Sequence, residues 1–464
     1  MFTNKRPVSV CDDDAQPRKK IRAIIGAVQS GKTGSIIDHI QRSDHICVVI
    51  VRNVNADVCQ FMNACRRAKL PAITLCSDRQ IQALSCSLIL APKVVVLLAN
   101  AKNVKKACAA LEAANSPSFE LFLDEADKIG FSTEPSDRSF RAELLRLQDR
   151  AVGVVYVTAT MFNFMTLPDV GGRMTAADIT ALSPSAAYCG VYDILFGTVR
   201  LCDRHEDDQA PWYIGPEERG CDAPDVPSAP ESMEYWMRGL LTADTPPDHP
   251  VLALARMGNR IDTIHVIART AEKVSRRILP VVYTGDGVSV PAKLLEYLDA
   301  RGVQLQHARY KRLGGYVTLT TLTLQQFLSV LRDTAVLGAA PVIVVCAGLL
   351  AARGVNFTDA SYKWGLTHEY FLPAKTTNVT ELEQGLRLLG NKPWSLDQFR
   401  PVLTTKHSVM RNIDIGCQVQ AGALENLSCG ADSLLAATRA VTLEEKPSVR
   451  YANNMIINSV ALSD

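Results

Sequence analysis

Ile24-Ile25-Gly26-Ala27-Val28-Gln29-Ser30-Gly31-Lys32-Thr33-Gly34 is the stretch from which the rest of this chain can be read. The pattern GxxxxGKT follows an apolar, strand-like run, Ala23–Ile25, and runs into a helix-like segment, Ser35–Ile40. Phosphate binding needs both flanks. The strand delivers the chain into a loop whose N–H groups converge on an anion, and the positive end of the following helix faces the same charge. Gly26 and Gly31 permit the tight path, Lys32 reaches the β/γ-phosphates, and the Thr33 hydroxyl sits on Mg²⁺. The candidate nucleotide-binding residues are therefore Gly26, Ala27, Val28, Gln29, Ser30, Gly31, Lys32 and Thr33. Every motif position and both flanks are in place, which separates this run from an ordinary Gly/Ser turn ahead of a helix.

A chain of 464 residues is too long for one ordinary core and predicts two or three domains. With 47% hydrophobic and 21% charged residues it has the balance of a soluble globular protein rather than a disordered one. The net charge of +2 gives no global attraction to nucleic acid, so any such surface must be a local basic stripe. The 13 cysteines are scattered with no CxxC pair, as expected for free thiols in a reducing compartment and not for a disulfide scaffold or zinc site. No apolar signal core opens the chain and no apolar run is long enough to span a bilayer. The expectation is an intracellular protein with no membrane partner. The cluster Arg18-Lys19-Lys20-Ile21-Arg22 could be a nuclear address or a nucleic-acid contact, but reads first as a solvated leader.

Short apolar runs alternate with helix-like stretches after that leader. The strand candidates are Ala23–Ile25, Ile46–Val51, Val94–Leu98, Leu121–Leu123 and Val154–Val157; helix candidates between them include Ala56–Ala68 and Val104–Ala114. Continuous β-branched runs suit strands buried on both faces of a parallel sheet, and the alternation implies βαβ units. From about Cys202 to Ser232 the chain turns acidic and Pro/Gly-rich, the composition of a linker or surface insertion. A second series follows, with strands at Val251–Ala255, Pro280–Tyr283 and Val342–Cys346 and helices at Ile261–Val274, Pro291–Ala300 and Leu324–Leu331. Beyond Thr405 the signal is poorer. The predicted division is a basic leader 1–20, a first α/β domain 21–200, an acidic linker or insertion 201–249, a second domain 250–405 and a C-terminal extension 406–464.

Leu121-Phe122-Leu123-Asp124-Glu125-Ala126-Asp127-Lys128 is an apolar run ending in acids. Ligands in open α/β sheets sit at strand C-termini, which makes Asp124 the candidate partner of Thr33 at Mg²⁺ and Glu125 the group that orients or deprotonates the attacking water. Taken alone, an Asp-Glu pair after a strand is weak; with the glycine loop upstream it becomes strong. Thr158-Ala159-Thr160 closes the next strand, where Thr158 and Thr160 could hydrogen-bond the carboxylates and sense the nucleotide.

This order of motifs resembles a superfamily 2 helicase. Two second-domain stretches extend the resemblance. Ala352-Arg353-Gly354-Val355-Asn356-Phe357 is similar to the family's fifth motif, and Thr380–Gly390, with Gln384 and Arg387, to its sixth. The resemblance implies two RecA-like P-loop NTPase domains, each a mostly parallel sheet flanked by helices, an α/β fold that closes on ATP and Mg²⁺. Lys32, Glu125 and Arg387 would be catalytic, and Thr158, Thr160, Arg353, Gly354 and Gln384 would couple hydrolysis to a nucleic-acid strand. The implied activity is an ATP-dependent helicase or translocase on DNA or RNA; Tyr188–Tyr192 and the run Leu349–Phe357 resemble the divergent ATPases of large DNA viruses and phages, which implies replication or transcription proteins as further partners in the host nucleus or cytoplasm. Leu382, Leu386 and Leu389, at i, i+4 and i+7, predict one helix that buries its leucines and presents Arg387 on another side.

The chain also departs from the family. Gln384 is offset by one residue, Leu386 replaces the glycine before Arg387, and Gly390 stands where a second arginine is usual. A nucleotide-gated scaffold subunit without unwinding activity is therefore the competing expectation. A P-loop kinase or GTPase fits less well, given the TAT motif, the second α/β domain and no obvious NKxD stretch. Arg52-Asn53 and Asn100 to Lys102, after the second and third strands, are positions from which the first domain could touch a strand.

Overall fold

The structure is a computed structural model that describes residues 20–26, 31–53, 55–75, 93–113, 118–129, 138–199, 229–246, 248–257, 261–303, 305, 312–313, 315–319, 322–334, 342–348, 357–373, 382, 385–391, 399–443 and 450–457. It divides into two compact units: residues 1–24, 33–158 and 177–180, and residues 25–32, 159–176 and 181–464. Each is built on a mostly parallel sheet with flanking helices, the α/β architecture the sequence implies.

Seven strands form the first sheet: β1 (Lys20–Gly26), β2 (Ile46–Val51), β3 (Ala72–Leu75), β4 (Val94–Leu98), β5 (Phe119–Asp124), β6 (Gly153–Thr158) and β7 (Ile179–Leu182), in the order β3-β4-β2-β5-β6-β1-β7. β3, β4, β2, β5 and β6 run parallel, with Val48 opposite both Val95 and Leu121. Parallel neighbours need crossover connections, supplied by α1 (Lys32–Arg42), α2 (Asn55–Arg67), α3 (Ala101–Ala113), the single turn α4 (Ala126–Ile129) and α5 (Arg138–Arg150). The apolar runs are continuous because both faces are covered: every residue of β4 is buried, and so is every residue of β2 after Ile46. α1 shows the complementary pattern, burying Ile36, Ile37 and Ile40 on one stripe.

The second sheet has ten strands: β9 (Leu195–Val199), β10 (Val251–Met257), β11 (Ile278–Thr284), β12 (Gly287–Pro291), β13 (Arg312–Leu313), β14 (Tyr316–Leu319), β15 (Val342–Ala347), β16 (His368–Leu372), β18 (Val402–Lys406) and β19 (Arg450–Ile457), in the order β13-β14-β12-β11-β15-β10-β16-β18-β9-β19. From β11 to β19 the pairs are parallel, and the β13-β14-β12-β11 edge is antiparallel. β8 (Tyr188–Cys189) and β17 (Gly390–Asn391) make a separate antiparallel pair. Successive side chains of a strand point to opposite faces, so Val251, Ala253, Ala255 and Met257 enter one core while Leu252 and Leu254 enter the other. The first core is closed by α7 (Ala229–Leu240) and α8 (Ile261–Val274), the second by α9 (Ala292–Asp299), α10 (Leu324–Asp333) and α11 (His407–Ser428). α10 begins in a reciprocal cap: Gln326 N–H donates to Thr323 Oγ1 at 3.2 Å and Thr323 N–H to Gln326 Oε1 at 2.9 Å. α6 (Phe162–Met165) and α12 (Leu434–Arg439) complete the helices among the described residues.

Residues 201–249, read from composition as a linker or insertion, contain α7. Its Met233, Trp236, Met237 and Leu240 recur at i, i+3, i+4 and i+7 and are buried, with Trp236 5.2 Å from Tyr370 between ring centroids.

Two buried histidines make this unit acid-sensitive. His249 donates from Nδ1 to the Pro250 carbonyl (2.7 Å) and accepts the Gly365 N–H at Nε2 (3.1 Å), which only the neutral ring can do. Burial lowers its pKa, and burial pushes His368 down to about 4. Between the ordinary value near 6.5 and that lower one, the unfolded chain takes up a proton that the folded chain refuses. The stability contributed by neutral His368 is therefore full above pH 6.5 and drains as the pH falls, by about 3 kcal/mol in all at ~1.36 kcal/mol per unit. Urea unfolding at pH 7.5 and pH 5 should show this loss, and His368→Gln should flatten the slope.

Candidate functional site

β1 ends in the buried Gly26, and β6 alone separates it from β5, the strand that ends in Asp124. The first residues of β1 and β6 lie side by side, since a Cβ built on Gly153 would sit 3.5 Å from the Lys20 carbonyl oxygen. The two strands therefore start at one edge of the sheet and end at the other, where β2, β4 and β5 also end.

Lys32 opens α1, is buried, and donates from Nζ to the Gly26 carbonyl at 3.3 Å, across the mouth of the loop. The first turn of α1 carries no acidic side chain. Gly31 sits at φ +92° with nothing within 4 Å of a built Cβ, so the backbone conformation and not crowding calls for glycine. Thr33 is half-buried on the first turn. Ala27, Val28, Gln29 and Ser30 lie outside the described residues, as do Arg353, Gly354 and Gln384.

Asp124 and Glu125 are half-buried at the end of β5. Glu125 has φ +59°, the left-handed region, where a non-glycine residue costs roughly 1–2 kcal/mol. Such strain collects at functional sites because only the surroundings hold it in place. Nearby, Arg52 binds Asp57 through Nε and Nη2 at 2.7 and 3.0 Å. Burial works against its charge, but the bond to Asp57 and the carboxylates of Asp57, Glu125 and Asp124 together hold its pKa above the ordinary value. A hydroxyl at Thr33 and a carboxylate at Asp124 are the hard oxygen donors that Mg²⁺ takes one or two at a time while keeping several waters. Among the described residues no group of three His, Cys, Asp or Glu side chains that could hold a metal ion is present.

In β6, Val157 is the register partner of Asp124, so Thr158 lies one residue beyond the acid's neighbour. Thr158 and Thr160 are fully buried and Ala159 nearly so. Of the positions considered for strand contact, Arg52 is engaged by Asp57, while Asn100 donates to Asn53 Oδ1 at 3.0 Å and accepts the Asn103 N–H at 2.9 Å, bridging the ends of β2 and β4.

The sixth-motif stretch differs from its expected form. Leu382 and Gly385 are helical, but Leu386, Arg387 and Leu388 are not, and Gly390 belongs to β17. No single helix carries Leu382, Leu386 and Leu389 on one face; all three are buried, the last two from a bend. The bend is held by a charged group that the sequence reading missed. Glu369, fully buried in β16, accepts the backbone N–H of Arg387 at 2.9 Å and of Leu388 at 3.3 Å on Oε2, and its Oε1 lies 3.3 Å from Arg256 Nη1. Arg256 also donates to the Gly385 carbonyl and lies 4.5 Å over the Phe371 ring. Burial pushes the Glu369 pKa up and the Arg256 pKa down, and the attraction between the two works against both shifts. Arg387 itself is buried and donates from Nε to the Gly385 carbonyl at 3.3 Å. The signal was available: one acid and one base stand inside otherwise apolar runs, HEYFL and VLALARM, and a buried charge needs a partner. Gly390 is there for its backbone, since φ +133° is a conformation that side-chain-bearing residues rarely adopt.

No protein-family description and no curated protein matches the chain. Among solved structures, it is similar to the Mycobacterium smegmatis helicase Lhr bound to ssDNA and AMP-PNP (13% identity, TM-score 0.41), covering 88% of this chain and 46% of that one. The chain thus spans less than half the length of Lhr. It is also similar to the NS3-like helicase from Alongshan virus (10% identity, TM-score 0.40, 90% and 84% covered) and to S. cerevisiae Dbp5 bound to RNA and ADP BeF3 (10% identity, TM-score 0.39, 84% and 83% covered). Among the described residues, no helix is long and apolar enough to cross a membrane.

Proposed function

We propose that the chain is an ATP-dependent, helicase-like motor that couples nucleotide hydrolysis to movement on, or remodelling of, a nucleic-acid strand. One observation carries this: the glycine loop ending in Lys32-Thr33 and the acids Asp124-Glu125 close two strands of one sheet separated by a single strand, β6, whose own end is Thr158-Ala159-Thr160. Lys32 and the helix N-terminus would hold the phosphates of ATP, and Thr33 and Asp124 the Mg²⁺. Glu125 would aim the attacking water, and Arg387 would meet the charge that develops on the transferred group. When bound, Mg²⁺ supplies electrostatic stabilisation of the phosphates. Arg353, Gly354 and Gln384 take the coupling role on the strength of the sequence resemblance. The stretch Tyr188–Tyr192 and the run Leu349–Phe357 support extending the proposal to the divergent motors of large DNA viruses and phages, acting with replication or transcription proteins inside a host cell.

Steady-state hydrolysis with and without single-stranded DNA or RNA is the test, run beside Glu125→Gln. Stimulation by one polymer, reduced about a hundredfold or more in the variant, is the expected result and names the track. A second reading, a nucleotide-gated scaffold that does not unwind, draws on Gly390: its backbone conformation disfavours an arginine where the family has its second one. Nucleotide binding without stimulated hydrolysis would establish the scaffold instead.

A further inference from the structure

The segment that leaves β6 is held by the C-terminal helices. Gln420, on α11, accepts the Met161 N–H on Oε1 at 3.2 Å and donates from Nε2 to the Ala159 carbonyl at 3.1 Å. One carboxamide thus makes the pair of bonds that an adjacent strand would make, to the residues on either side of the buried Thr160. Farther along, the N–H groups of Leu434 and Leu435, at the start of α12, donate to the Met174 carbonyl (2.8 Å) and the Gly171 carbonyl (3.0 Å). The one α-helix of the 159–176 segment is the four-residue α6, followed by a turn in which a Cβ on Gly171 would come within 2.2 Å of the Met165 carbonyl oxygen. The course of the chain just past Thr158 is therefore set by side-chain and backbone groups more than 250 residues away in sequence.

We propose that Gln420 is a positioning residue for the Thr158-Ala159-Thr160 loop, and that α11 is a working part of the motor rather than an appendage to it. α11 follows β18 with no residue between them and runs for 22 residues, about 33 Å at 1.5 Å per residue. A change in the loop when the carboxylates at Asp124 and Glu125 meet a nucleotide has, in Gln420, a direct connection to a rigid element rooted in the second sheet. The carboxamide fits this task because it must donate and accept at once. Of the other side chains of its length, glutamate could do both only by taking up a proton.

This inference rests on the motor proposal above, and its test separates the two. Full-length wild type, Gln420→Ala and Gln420→Glu are compared for ATP hydrolysis under saturating single-stranded polymer and for thermal unfolding. Glutamate keeps the shape and the acceptor for Met161 N–H but sets an anion against the Ala159 carbonyl, so packing alone would tolerate it. The expected result is a kcat lowered about fivefold or more in both variants, with KM for ATP within about twofold of wild type and a melting temperature within about 3 °C. Wild-type kcat in either variant overturns the inference while leaving the motor standing. A kcat loss that tracks a fall in melting temperature of about 10 °C or more assigns Gln420 to folding alone and overturns it as well. A wild-type protein that hydrolyses no ATP overturns the motor, and this inference with it.

Discussion

Lys32→Ala is expected to lower ATP hydrolysis at least about a thousandfold, some 4 kcal/mol of transition-state stabilisation. The ammonium lies at the loop mouth, 3.3 Å from the Gly26 carbonyl, where it is buried and its field is little weakened by water. Alanine is the strongest helix former, so the first turn of α1 survives the change. A collapse of the helix is thus not available as the explanation for lost activity. Stopped-time phosphate release, with circular dichroism as the control for folding, makes the measurement. Hydrolysis within about threefold of wild type would mean that Gly26–Thr33 is a turn and not a phosphate cradle.

Arg387→Ala should lower hydrolysis by about 10³–10⁵, the range typical of an arginine that meets the transferred phosphoryl group, while ATP affinity changes only a few-fold. Glu369 grips the backbone N–H groups of residues 387 and 388, and alanine keeps both. The losses include the guanidinium, its bond to the Gly385 carbonyl and its attraction for the buried Glu369 carboxylate. Lysine should not restore the rate, because a single ammonium cannot reproduce the planar fork of donors. Titration with a fluorescent nucleotide alongside single-turnover hydrolysis separates binding from chemistry. Normal single-turnover rates in Arg387→Ala would remove this residue from the reaction and leave the sixth-motif resemblance without a function.

The parts of the fold legible in the sequence are those where one physical rule acts alone. Ile46–Val51, Val94–Leu98 and Ile261–Val274 appear in the structure with the bounds read from the residues, because a strand covered on both faces or a helix with one apolar stripe leaves an unbroken pattern. β12 and β14 are four or five residues long, paired antiparallel at the sheet edge, and too short to show a period. The leucines at 382, 386 and 389 matched the helical period for another reason: all three are buried, but Leu386 and Leu389 are buried from a bend held by Glu369. Periodicity reports burial, and burial does not require a helix. At the candidate site, Lys32, Thr33, Asp124, Glu125, Thr158 and Thr160 could be found because phosphate chemistry ties residue types to local spacing. Arg256 and Gln420 could not be found that way, since their partners lie more than a hundred residues off, and Glu369 binds one partner at that distance and two backbone N–H groups 18 and 19 residues on.

β9 is made early and paired late. It leaves the ribosome at residue 199, while its inner neighbour β18 begins at residue 402 and its outer neighbour β19 at residue 450. At synthesis rates of about 5–20 residues per second, the first partner arrives roughly 10–40 s afterwards and the second later still. For that interval two open strand edges face the cell, the kind of surface on which nascent chains stick to one another. The long-range closure that completes the second sheet is therefore expected to lengthen the time for which newborn chains expose sticky edges.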